Sequence, residues 1–134
     1  MSDFLPDAAA ALAAKLGATA MSTEEIIADK SIDAVVIGTP TATHYDIIHE
    51  AAAAGKAIFC EKPVDLSTDR IRECLAIVEK AGVPFMTAFN RRFDPSFAYL
   101  RKQITDQVIG NVEIVTILSR DPAPPPIGYI KTSG

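Results

Sequence analysis

A lysine set between an acid and a proline, directly after a short apolar run, is poorly explained as a solubilising charge. Glu61-Lys62-Pro63 has this form and follows Ala57-Ile58-Phe59-Cys60. An ammonium held there can hydrogen-bond a hydroxyl or ketone oxygen and stabilise the charge that develops as a hydride leaves or arrives. Glu61 is placed to orient the ammonium, and Pro63 fixes the backbone beside it. Sequence leaves open whether the Lys62-Pro63 bond is cis. Two more polar clusters follow short apolar runs. Gly38-Thr39-Pro40-Thr41-Ala42-Thr43-His44 comes after Ala34-Val35-Val36-Ile37, and Asn90-Arg91-Arg92-Phe93-Asp94 comes after Pro84 to Phe89.

Taken singly, most of these residues have a plainer role. Thr43 reads first as a helix cap, and Asp94 likewise. His44 stands level between a site residue and a solvated residue of a first helical turn. His49 has no partner motif and reads as surface. Arg92 can simply pair with surface acids, and pattern does not separate it from Arg91.

The elements that must carry these clusters alternate between helices and short buried strands. Asp7–Leu16 is Ala-rich, preceded by Pro6 and closed by Gly17. Ser22-Thr23-Glu24-Glu25 has capping-box spacing, and Thr43 to Asp46 repeats it. Ala34–Ile37 reads as a strand buried on both faces, and Ala57–Cys60 and Pro84–Phe89 read as further buried strands. A helix capped by Ser67 presents Ile71, Cys74, Leu75 and Val78, and ends at Gly82. Three strand–helix units in series imply a parallel sheet with right-handed crossovers and helices on both faces, an α/β fold. Ligands of such sheets sit beyond the carboxyl ends of the strands, where all three polar clusters fall.

Asp94-Pro95 opens one more helix, with Phe97, Leu100, Ile104 and Val108 expected inward and Gly110 at its end. The pattern then changes. Val112–Ser119 partly alternates, which suits the first strand of a second α/β domain, and the Pro-rich stretch from Asp121 to Ile127 suits neither helix nor inner strand. The expected division is 1–110 and 111–134.

The chain has 134 residues, 49% hydrophobic and 22% charged, with net charge −4. That acidity argues against nucleic acid or an anionic membrane as partner. No apolar run approaches membrane-span length, and the start lacks the basic and apolar segments of a signal peptide. Cys60 and Cys74 show no metal-type spacing, so no metal is expected, and a reduced, cytoplasmic setting is the default.

The order and separation of Gly38-Thr39-Pro40-Thr41 with His44, Cys60-Glu61-Lys62-Pro63 and Asn90-Arg91-Arg92-Phe93-Asp94 resemble the glucose-fructose oxidoreductase/inositol dehydrogenase (Gfo/Idh/MocA) family. The likeness runs over essentially the whole chain and leans toward inositol 2-dehydrogenase-like members. The resemblance implies an NAD(P)-dependent dehydrogenase of polyols or sugars, a Rossmann domain joined to an α/β domain, and a homo-oligomer. It implies that Thr39, Pro40 and His44 line the nicotinamide and its ribose, beside Glu61. Lys62 is similar to the family's active-site lysine, contacting both cofactor and reacting oxygen. Asn90 and Arg91 resemble substrate-side residues. Asp3 resembles the acid at the end of the second strand that binds the adenosine ribose and, by repelling a 2′-phosphate, favours NAD over NADP.

Two parts of the family pattern do not occur in this sequence. No G-x-G-x-x-G cradles a pyrophosphate, and the downstream Asp/His catalytic motif is missing, although Ser133-Gly134 resembles its approach. The chain is therefore expected to be a fragment that binds cofactor weakly or not at all and does not turn over substrate. Without a central first strand, Ala34–Ile37 is expected to present an unpaired edge that invites self-association, and a short strand near Thr19–Met21 has no expected partner. The rival reading is a non-catalytic remnant serving as an interaction or oligomerisation module.

Overall fold

The computed structural model describes residues Met1–Ser133, with side-chain surroundings through Ile130. Gly134 lies outside the described residues, and with it part of the Ser133-Gly134 resemblance. Helix α1 (Pro6–Leu16) starts with proline at its first turn and ends at Gly17, whose φ of 66° is the left-handed conformation a helix end needs and a Cβ resists. Helix α2 (Thr23–Ala28) carries the expected capping box: the Ser22 hydroxyl accepts the Glu25 N–H at 3.1 Å, and the Glu25 carboxylate accepts the Ser22 N–H at 2.7 Å.

The sheet follows. Strands β1 (Ala34–Ile37), β2 (Ala57–Cys60) and β3 (Phe85–Thr87) lie in the order β1-β2-β3, every pairing parallel, with Ile37 opposite Cys60 and Cys60 opposite Thr87. Helix α3 (His44–Ala53) joins β1 to β2, and α4 (Thr68–Ala81) joins β2 to β3. Their apolar stripes meet one face of the sheet. Ile48, Ala51, Ala52, Cys74 and Val78 bury against Ile37, Ile58 and Cys60. These elements belong to a compact unit that includes Met1–Ala88.

Three expectations for this unit are corrected. Strand β1 is not buried on both faces: Val36 is 78% exposed, because no described residue covers that face of this edge strand. Leu75 lies on the solvent side of α4, beside the stripe that Cys74 and Val78 define. Thr19–Met21 does have a partner. The Met1 ammonium donates to the Thr19 carbonyl at 2.6 Å, and the Met21 N–H donates to the Met1 carbonyl at 2.9 Å.

The second unit comprises Phe89–Ile130. Helix α5 (Pro95–Thr105) is capped as expected, with Asp94 accepting the N–H groups of Ser96 and Phe97 at 2.9 and 3.1 Å. Phe97, Leu100, Ile104 and Val108, expected inward, are all exposed. Val112–Ser119, expected as a strand, has no strand pairing, since no extended segment among the described residues lies alongside it. A last helix, α6, spans Ile127–Ser133.

Candidate functional site

The carboxyl ends of β1 and β2 run into two turns held together from behind. After β1, residues Thr41–Thr43 form a 3-10 turn that leads straight into α3. Thr43 does not cap α3 through its side chain, as its capping-box spacing had implied. Its hydroxyl turns back to donate to the Pro40 carbonyl at 2.8 Å and lies 2.7 Å from the Thr39 hydroxyl. The intervening 3-10 turn removes the extended geometry a side-chain cap requires.

His44 is 1% exposed. Its Nδ1 lies 2.9 Å from the Pro63 carbonyl and its Nε2 lies 2.8 Å from the Thr39 carbonyl. Neither ring nitrogen is turned to solvent, so the ring ties the turn after β1 to the turn after β2. A neutral imidazole has one N–H and donates to one of these carbonyls at a time.

After β2, the Glu61 N–H donates to the Ile37 carbonyl at 2.9 Å, which carries the parallel ladder one residue past the strand. The Lys62-Pro63 bond is cis. The Glu61 carboxylate accepts the backbone N–H of Lys62 at 3.1 Å rather than engaging its ammonium. The Lys62 side chain is exposed and makes no ion pair among the described residues. A solvated ammonium with open donor capacity therefore stands at the strand ends, on a backbone anchored from below.

The anchoring continues into α4. Asp65 is 8% exposed, pairs with Arg70 at 3.1 Å and accepts the Ser67 N–H at 2.8 Å. The Arg70 guanidinium stacks 4.2 Å from the Tyr45 ring centroid, and the Tyr45 hydroxyl donates to Glu73. Sequence reading passed over Asp65, although an acid two residues before a Ser N-cap is a signal for such a turn. The buried Cys60 thiol beneath is pushed up to about 11 by burial, then by Cys74 and Glu61. It is a packed, un-ionised thiol rather than a nucleophile.

The remaining candidates stand elsewhere. The Asp3 carboxylate accepts the Leu5 N–H at 2.8 Å at the approach to α1. Asn90 and Arg91 belong to the second unit, on a 3-10 turn over Asn90–Arg92. There Arg91 sits 5.3 Å from the Phe97 ring centroid, and both residues line an open cleft of about 440 Å³ with Phe93 and Asp94. Thr39, His44, Glu61 and Lys62 are thus brought together, whereas Asn90 and Arg91 form their own small cluster.

A parallel α/β sheet whose polar turns gather at the carboxyl strand ends is the architecture of nucleotide-binding domains. Comparison with known proteins makes this specific. A profile described as "Oxidoreductase family, NAD-binding Rossmann fold" (Gfo/Idh/MocA) matches residues 2–89, and the chain belongs to that family. Inositol 2-dehydrogenase of Rhizobium meliloti is 53% identical over the full chain, and myo-inositol 2-dehydrogenase of Thermotoga maritima is 41% identical over 82% of it. A crystal structure from Sinorhizobium meliloti, described as a candidate myo-inositol dehydrogenase, superposes with a TM-score of 0.94 at 53% identity over 99% of the chain and 40% of its own. A Lactobacillus casei scyllo-inositol dehydrogenase, solved with NAD(H) and scyllo-inositol bound, superposes with a TM-score of 0.76 at 27% identity over 82% of the chain and 33% of its own. The chain spans 41% of the Rhizobium enzyme's length and 33% of the Thermotoga enzyme's. No helix among the described residues is long and apolar enough to cross a membrane.

Proposed function

We propose that this chain is the nicotinamide-side part of an NAD-dependent dehydrogenase acting on a polyol or sugar of the inositol class. The observation that carries the reading is the exposed, unpaired Lys62 ammonium, set on a turn that His44 locks to the Thr39-Pro40 turn. These residues fit the nicotinamide end of a dinucleotide. Lys62 offers a cation and three donors, and Thr39 and Pro40 offer a short wall beside it. The dinucleotide, when bound, would accept or supply the hydride.

Lys62 would donate a hydrogen bond to the reacting oxygen and stabilise its developing charge as the carbon–hydrogen bond breaks or forms. Glu61 would hold the Lys62 backbone, and His44 would hold both turns. Asp3 would meet the adenosine ribose and bias the choice toward NAD. Asn90 and Arg91 would meet substrate hydroxyls.

In this reading 1–110 supplies the dinucleotide-binding domain and 111–134 opens a substrate and oligomerisation domain. The whole protein would work as a homo-oligomer, without nucleic acid or membrane. Two buried free cysteines support a reduced, cytoplasmic setting. The chain by itself, with no G-x-G-x-x-G in its sequence, would bind the cofactor weakly or not at all and would not turn over substrate. The test is absorbance at the reduced-nicotinamide band with this chain, NAD and inositol. A flat trace is expected, and steady turnover would refute the fragment reading.

A further inference from the structure

Two consecutive residues at the start of α3 reach the segment that follows Lys62. His44 meets the Pro63 carbonyl at 2.9 Å. Tyr45 stacks against the Arg70 guanidinium at 4.2 Å from its ring centroid, and the Arg70 Nε pairs with the Asp65 carboxylate at 3.1 Å. That carboxylate divides its oxygens. One accepts the Ser67 N–H at 2.8 Å, and the other takes Arg70. Asp65 therefore ties the turn after β2 to α4 and, through the Tyr45 ring, to α3. It is a buried acid with Arg70 as its cation. Well-packed apolar residues of similar volume stabilise a fold as well as a buried ion pair does, and often better. Stability alone does not explain an acid at this place. A fixed direction does, because charge-assisted hydrogen bonds hold a geometry that apolar contacts do not.

We propose that Asp65 is a positioning residue for Lys62, acting through Arg70 and Tyr45. The inference rests on the reading of Lys62 given above. On the strand side of Lys62, the Glu61 N–H holds the segment to the Ile37 carbonyl. Beyond Lys62, a single attachment at the Pro63 carbonyl would leave the turn free to pivot about that point. The attachment at Asp65, two residues further on, removes this freedom and fixes the direction in which the turn presents Lys62. Thr39 and Pro40 stand on the other turn, held by Thr43 and His44 rather than by Asp65. Loss of the ion pair should therefore disturb the transfer step and leave cofactor affinity nearly unchanged. A misplacement of about 1 Å in a group set for reaction costs up to about 100-fold in rate. Tyr45 contributes its ring to this chain of contacts, and its hydroxyl bond to Glu73 lies outside it.

The experiment uses the Rhizobium meliloti inositol 2-dehydrogenase carrying residues 1–134 in place of its matching segment. Asp65→Asn keeps the shape and an oxygen for the Ser67 N–H but removes the charge that Arg70 pairs with. Arg70→Gln removes the cation from a side chain that is 45% exposed, so it decides the matter should Asp65→Asn fail to fold. Each should lower kcat about 10-fold, with KM for NAD held within about twofold. The double variant should lose no more than either single one, because both break the same chain of contacts. Tyr45→Phe, which keeps the ring, should leave kcat unchanged. Lys62→Ala is measured beside them. If it abolishes turnover while Asp65→Asn and Arg70→Gln keep full kcat, the proposal falls and the reading of Lys62 stands. If Lys62→Ala keeps its kcat, the reading of Lys62 falls and the proposal with it. A loss carried by KM for NAD, or by less folded enzyme at unchanged kcat, would make the pair merely structural and would also overturn the proposal.

Discussion

The imidazole of His44 lies 2.9 Å from the backbone carbonyl of Pro63, across a gap of nineteen residues, while its other nitrogen meets Thr39. These hydrogen bonds are part-buried, and a carbonyl that loses its donor there costs about 1–2 kcal/mol. His44→Phe keeps the ring's bulk and removes its N–H donor. It should destabilise the chain by about 2 kcal/mol, read as a lower urea midpoint at unchanged slope. An unchanged midpoint would show that the ring only fills space.

Cys60 supplies a pH prediction. Burial raises its folded-state pKa to about 11 from an ordinary value of 9.0. The raised value means that the fold favours the neutral thiol. This contribution is fully present below pH 9 and is lost as pH rises toward 11, because the unfolded chain ionises first. Urea midpoints should fall across that window, and Cys60→Ala should flatten the fall. The native thiol should also resist iodoacetamide at pH 8 until urea exposes it.

Lys56 is a charged residue that pattern reading passed over. It is 3% exposed, and its ammonium donates to the carbonyls of Asp29 and Ile32 at 2.7 and 2.8 Å, tying the turn before β1. Lys56→Met should cost about 2 kcal/mol, since hydrogen bonds to charged groups are worth more than neutral ones. It should also speed amide exchange over residues 29–34. Normal exchange there would mean that the turn holds without it.

The chain should self-associate through the free edge of β1, because an unpaired apolar edge pairs with what it meets. Sedimentation should show association that grows with concentration. Val36→Lys, placing a charge on an already exposed position, should reduce it. A clean monomer at high concentration would contradict the edge account.

Much of this was legible in the residues. Ser22 with Glu25, Asp94 with Pro95, and Gly17 and Gly82 set their helix ends through local chemistry, which sequence carries in full. The gathering of Lys62, Thr39 and His44 at the strand ends was legible because strand ends bring separated motifs together. The expected inward packing of Phe97 and Leu100 and the expected strand at Val112–Ser119 did not form, because each needs a partner surface that no described residue provides. The double grip of His44 was hidden for another reason. It depends on where two turns meet, and a capping-box spacing at Thr43 looks the same whether or not the hydroxyl caps.

The central claim is that Lys62 serves hydride transfer in an inositol-class dehydrogenase. The most direct measurement grafts residues 1–134 into the Rhizobium meliloti inositol 2-dehydrogenase in place of its matching segment, which aligns over all 134 residues. The graft should reduce NAD with inositol, and Lys62→Ala within it should lower kcat by about 100-fold or more while the fold stays intact. A folded graft without activity, or a Lys62→Ala graft that keeps its kcat, would contradict the account.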